Sequence, residues 1–148
     1  MQKRTNTLGA ILLPSSQIPE SFFIQPIDLP KWREVKGAKV IHGISKKTGK
    51  AYIYREGTVA FPDPTEKPSR TIITREGGRH ITREKHTVLQ DGRYRRLHPI
   101  ELERLNGFPD DFTKCDGITD SQRAFFMGNA LVVGVVECLA EQLAVFRE

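Results

Sequence analysis

The chain has 148 residues, 38% of them hydrophobic and 28% charged, which excludes a disordered tail and fits one modest globular domain or a small domain with an appended segment. No run of about 18 apolar residues occurs, and two cysteines, Cys115 and Cys138, are too few to staple a secreted scaffold and lack Cys or His neighbours at zinc spacing. A cytoplasmic protein without a membrane segment is therefore expected, with both thiols reduced and structural and a net charge of +5 to be explained.

Residues 1–35 are irregular, with Pro14, Pro19, Pro26 and Pro30 punctuating apolar pieces such as Ser21-Phe22-Phe23-Ile24, and read as a wrapping segment. Strand-like text begins at Lys39-Val40-Ile41-His42-Gly43-Ile44. It turns through Lys46 to Lys50 and returns as Ala51-Tyr52-Ile53-Tyr54-Arg55, a hairpin pattern. After the Pro62-Asp63-Pro64 break, Arg70-Thr71-Ile72-Ile73-Thr74 predicts a short β-branched strand. Next comes Arg75-Glu76-Gly77-Gly78-Arg79-His80, whose paired glycines allow the backbone to approach a partner closely.

The charge is concentrated here. From Lys67 to Arg96 there are nine basic residues (Lys67, Arg70, Arg75, Arg79, Arg83, Lys85, Arg93, Arg95, Arg96) and three acidic ones, a net +6, while the rest of the chain carries −1. Such a stretch suits a surface that tracks phosphates; a solvated face of mixed charge is the other reading.

Helix signals start at His98-Pro99-Ile100-Glu101, with Pro at the first helical position and Gly107 closing the element after about Asn106. A second start at Asp120-Ser121-Gln122-Arg123 runs to a break at Gly128-Asn129, and Ala130 to Phe146 reads as a final helix. Leu131 to Val136 is apolar on nearly every side, so that helix must be buried, either by a surface outside this chain or in a compact core of its own.

The run Arg95-Arg96-Leu97-His98-Pro99-Ile100-Glu101-Leu102-Glu103-Arg104-Leu105-Asn106-Gly107-Phe108-Pro109 closely resembles motif IX of the cytosine-5 DNA methyltransferases. Met127-Gly128-Asn129-Ala130-Leu131-Val132-Val133 resembles motif X of the same family, and Arg70-Thr71-Ile72 with Gly77-Gly78 is similar to the Thr-Leu/Ile signature of its target recognition domain. The likeness covers about Pro68 to Ala140. It implies an α+β chain: a small, mainly β target-recognition-like domain over residues 1–94, then a helical segment over 95–148 that packs on a Rossmann-like catalytic domain absent from these residues.

By the same resemblance Arg95, Arg96, Glu101 and Arg104 are internal partners, and Asn129 with the Ala130 backbone borders a site for S-adenosylmethionine; a purely structural break at Gly128-Asn129 is the alternative. Double-stranded DNA is the implied partner, met by Arg70, Thr71, Ile72, Thr74, Arg75, Gly77, Gly78, Arg79, Arg83 and Lys85. Of these, Arg70, Arg75 and Arg79 suit guanine, while Arg83 and Lys85, with Arg93, suit phosphates. The family's Pro-Cys-Gln nucleophile, Glu-Asn-Val acid and Gly-rich cofactor loop do not occur in these residues, so no catalytic or metal-binding residue is assigned.

The leading expectation is the DNA-recognition part of a methyltransferase that flips its target cytosine, in a restriction–modification setting, inactive alone and completed by a catalytic domain or subunit. An orphaned docking face can also drive self-association. A stand-alone DNA-binding module without catalysis is the alternative. His42, His80, His86 and His98 are scattered, without ligand spacing, and read as surface or capping residues.

Overall fold

The computed structural model describes residues 7–145. The outer limits of the two expected segments, at 1 and 148, and Phe146 of the expected last helix lie outside the described residues. The chain adopts an α+β fold: α1 (Leu29–Lys36), a hairpin of β1 (Lys39–Ile44) and β2 (Ala51–Glu56), a second hairpin of β3 (Thr87–Gln90) and β4 (Arg93–Arg96), then α2 (Pro99–Leu105), α3 (Asp120–Asn129) and α4 (Val133–Val145). Both hairpins are antiparallel and form separate two-stranded sheets.

The first segment does wrap. It advances in short 3-10 turns at Leu8–Ile11, Ser15–Gln17, Glu20–Phe22 and Pro26–Asp28. Pro14 and Pro19 precede two of them and Pro26 opens another; a proline has no N–H to continue a helix, so each piece ends within a turn. These turns deliver Leu8 and Ile11 to a core shared with Val88, Leu97, Leu102, Ala124 and Met127, with Ile72 and Ala130 packed against it. Leu13, Ile18, Phe22 and Phe23 form a second cluster around Ile100. The core thus draws on both sides of the 94/95 boundary.

The helix starts follow their sequence signals. His98 caps α2, its ring accepting from the Ile100 amide at 3.3 Å while the Glu101 carboxylate accepts from the His98 amide at 2.7 Å. Thr119 and Gln122 make the same reciprocal cap on α3.

Three expectations are corrected. Residues 70–73 form no strand and Thr74–Glu76 is a 3-10 turn: no neighbouring strand offers this segment a ladder, and Ile72 is instead drawn onto the core. The β3–β4 hairpin was not expected. Its turn signal, Asp91-Gly92, is present, and both residues take positive φ (48° and 75°), as a tight two-residue turn requires. The flanking Arg93-Tyr94-Arg95-Arg96 hid it because its inward residue is an arginine. The last helix begins at Val133, because Ala130 is extended (φ −75°, ψ 155°) and the Val133 amide donates to the Asn106 carbonyl at 2.8 Å. From residue 134 to 143 that helix is exposed, which overturns a compact core of its own within this chain.

Candidate nucleic-acid interface

Six of the nine cations between Lys67 and Arg96 have partners within the chain, five of them partly or fully buried and Arg93 at the surface. Arg70 grips the buried Asp63 through two nitrogens (2.6 and 3.2 Å) and donates to the Glu84 carbonyl at 3.1 Å. Arg83 donates to the carbonyls of Val35 (3.1 Å) and Gly37 (2.5 Å) and faces Glu56 at 3.4 Å. Lys85 is fully buried, its ammonium shared among the carbonyls of Gly77 (2.9 Å), Gly78 (3.0 Å) and His80 (2.8 Å). Arg93 pairs with Glu20 and lies 3.9 Å from the Phe23 ring centre. Arg95 pairs with Glu101, and Arg96 donates to the carbonyls of Gly78 (2.5 Å) and Ser21 (2.6 Å).

The reason is local. Irregular loops leave carbonyls that no ladder satisfies, and long cationic side chains satisfy them. The expected assignment of Arg83 and Lys85 to phosphates is therefore corrected, and Arg70 is committed to Asp63. Burial pulls the Lys85 ammonium down to about 8, and that of its neighbour Lys36, which donates to the Lys85 carbonyl, likewise to about 8. For Asp63, burial alone would raise the carboxyl, but the Arg70 guanidinium and the Thr87 amide outweigh it and hold the group below its ordinary 3.8.

Arg75 and Arg79 are exposed and form no ion pair among the described residues, and Thr71 is also exposed. Thr74, Gly77 and Gly78 are half-buried. The close approach promised by the paired glycines is real, but its partner is the chain's own helix. A Cβ on Gly77 would lie 2.5 Å from the Ser121 carbonyl oxygen of α3, and one on Gly128 would lie 2.3 Å from the Thr74 nitrogen and 2.4 Å from the Ile73 carbonyl carbon. Two glycines, one on each side, thus seat the 73–78 loop on α3. Glu76 locks it from behind, accepting from the His86 amide (2.9 Å) and contacting the His86 ring (2.6 Å). His86 is consequently buried, unlike the surface residue expected, while His98 is the capping residue expected.

A cleft of about 380 Å³ brings Thr71 and Ile72 together with Asn106, Met127, Ala130 and Val132. Beside it the Asn129 amide donates to the Phe125 carbonyl (3.0 Å) and the Ala130 N–H to the Met127 carbonyl (3.3 Å).

The run around α2 is internal, as expected. The fully buried Glu101 accepts four hydrogen bonds, two from Arg95 (2.7 and 2.8 Å) and one each from the amides of Leu13 (2.8 Å) and His98 (2.7 Å). It ties the first segment, β4 and α2 together. Arg104 pairs with Asp110 and donates to the Ile11 carbonyl at 3.1 Å. Sequence reading missed Glu103, buried two positions on, which accepts from Arg123 of α3 (3.0 Å) and the Thr113 amide (2.9 Å). Nothing in the spacing names a partner twenty residues away.

The α4 helix exposes Val135, Val136, Leu139 and Leu143, continuing from Leu131 at 73% exposure. Asp120–Leu143 is long and apolar enough to cross a membrane (24 residues, mean hydropathy 1.6), but it is broken by non-helical backbone at 130–132. The 13 residues of α4 span about 20 Å, short of a hydrocarbon core of about 30 Å. Cys115 and Cys138 are free, but exposed rather than structural.

The chain belongs to the C-5 cytosine-specific DNA methylase family, whose model matches residues 13–144. It is similar to the Type II methyltransferase M.Sau3AI of Staphylococcus aureus, 38% identical over 141 residues, which is 95% of this chain and 32% of that protein. The chain thus spans less than half the length of the curated relative it matches.

Proposed function

We propose that the chain is the DNA-recognition part of a cytosine-5 DNA methyltransferase, giving sequence specificity to methyl transfer from S-adenosylmethionine to cytosine C5. The observation that carries the reading is the bare apolar α4 on a chain that matches 32% of a methyltransferase. A helix that exposes Val135, Val136, Leu139 and Leu143, with Leu131 exposed just before it, wants a cover. The catalytic domain or subunit supplies it. An independent DNA-binding module, the other candidate, would have its last helix covered.

In this reading residues 1–94 are the target-recognition part and 95–148 the segment that docks on the catalytic part, the two sharing one core. Arg75, Arg79 and Thr71 remain available to DNA, with Ile72, Thr74, Gly77 and Gly78 shaping the loop that presents them. Arg70, Arg83 and Lys85 stiffen it. The catalytic part brings the nucleophilic cysteine and most of the cofactor site, with Asn129 and Ala130 at its border, and the complex works in the cytoplasm.

The test is binding of the native chain to duplex DNA across a salt series. The expected result is affinity that falls steeply and log-linearly with salt, with a slope of about −0.9 per phosphate neutralised. No binding at low salt would overturn the reading.

A further inference from the structure

We infer that the β1–β2 hairpin, rather than the basic stretch after Lys67, is the main element that grips DNA; this rests on the DNA-recognition reading above. From Lys39 to Arg55 the charged residues are five cations, Lys39, Lys46, Lys47, Lys50 and Arg55, without one acid. None forms an ion pair among the described residues. The contrast with the 67–96 stretch is direct, since six of its nine cations already have partners within the chain.

The hairpin stands in solvent. Val40, Ile41, Ile44, Tyr52, Ile53 and Tyr54 are 45–71% exposed. The register puts Ile41 opposite Tyr54 and Gly43 opposite Tyr52 on one face, and His42 opposite Ile53 on the other, so apolar side chains are bare on both faces. The Tyr52 ring lies over Gly43, where a Cβ would meet it at 2.5 Å. A two-stranded ribbon with both faces wet is marginal alone. It is fastened at its base, where Arg83 holds Glu56 and the Val35 and Gly37 carbonyls.

Shape and charge select the occupant. A two-stranded ribbon fits a major groove of about 12 Å width, and six-residue strands reach about 20 Å from the base. Three lysines in the five residues at the tip meet phosphates there, and Tyr52 and Tyr54 lie behind them with faces that contact sugar and base edges. A protein partner would suit the apolar faces but would have to be strongly acidic to meet five unpaired cations.

The experiment compares duplex-DNA binding across a salt series for the native chain, K46A/K47A/K50A, and a charge-matched control, K31A/R33A/K114A. Circular dichroism verifies that each is folded; the three tip lysines are exposed and make no side-chain hydrogen bond or ion pair among the described residues, so the tip variant should not unfold. The tip variant is expected to bind at least about tenfold more weakly, with a salt slope shallower by about three, while the control keeps the native slope. If the native chain binds and the tip variant matches it, or if the control loses as much, the hairpin assignment is overturned while DNA recognition stands. Loss of association with a catalytic part, with DNA binding intact, would assign the hairpin to a protein and equally overturn it. If the native chain does not bind at all, the DNA-recognition reading fails, and this inference with it.

Discussion

Gly128 offers a test in which two physical effects predict opposite signs. It lies within α3, where replacing glycine by alanine ordinarily stabilises a helix by about 1 kcal/mol. Here the new methyl would sit 2.3 Å from the Thr74 nitrogen, 2.4 Å from the Ile73 carbonyl carbon and 2.6 Å from its oxygen. All three are backbone atoms, which cannot swing aside, so the cost belongs at the upper end of overpacking, about 3 kcal/mol. The net expectation for Gly128→Ala is a loss of about 2 kcal/mol, with a Tm fall of about 6 °C for a chain of this size. The control is Gly134→Ala in α4, where nothing lies within 4 Å of the added methyl and only helix propensity operates, so stability should hold or rise. Urea denaturation of the three proteins decides it. A Gly128→Ala protein as stable as the native chain would refute the claim that the 73–78 loop is seated directly on α3.

Glu101→Gln leaves a buried Arg95 without its counter-charge, and the urea midpoint should report a loss of about 3–5 kcal/mol; a loss under about 1 kcal/mol would show that Glu101 does not tie the first segment, β4 and α2 together. Asp63 is held below 3.8 in the fold, so its contribution is fully present above that pH and is lost as pH falls through the lower folded value. Stability measured from pH 7 down to 3 should therefore decline at the acid end, and less steeply in Asp63→Asn; identical profiles would contradict the assignment. Val135→Glu with Leu139→Glu places charge on an uncovered face, so stability should change by less than about 0.5 kcal/mol while hydrophobic-dye binding and self-association fall. Global unfolding would mean that α4 is covered in the isolated chain.

Elements with a strong local code were legible in the sequence. The apolar and aromatic runs Lys39–Ile44 and Ala51–Arg55 on either side of the Lys46–Lys50 turn, Pro99 at a first helical position and the helix start at Asp120 each fix an element through neighbours a few residues away. Residues 70–74 misled because β-branched composition specifies extended backbone but not a pairing partner. The β3–β4 hairpin escaped because Arg95, a buried inward residue, broke the expected alternation even though Asp91-Gly92 marked the turn.

The internal roles of Arg95, Glu101 and Arg104 followed from the family motifs. The roles of Arg83 and Lys85 did not. A count of cations cannot distinguish a side chain aimed at solvent from one satisfying a carbonyl of its own loop; that depends on backbone paths set by contacts across the fold, such as Lys85 on Gly77, Gly78 and His80. The hairpin cations Lys46, Lys47 and Lys50 were visible in the text but outweighed by the denser stretch after Lys67.

The most direct test of the central claim is transfer of labelled methyl from S-adenosylmethionine to duplex DNA. It should be run with the purified chain alone, with the part of M.Sau3AI that this chain does not cover alone, and with both together. The account predicts no incorporation by either alone and C5-methylated cytosine when the two are combined, abolished by the α4 double substitution. Methylation by the 148-residue chain alone, or none from the pair despite stable association, would contradict it.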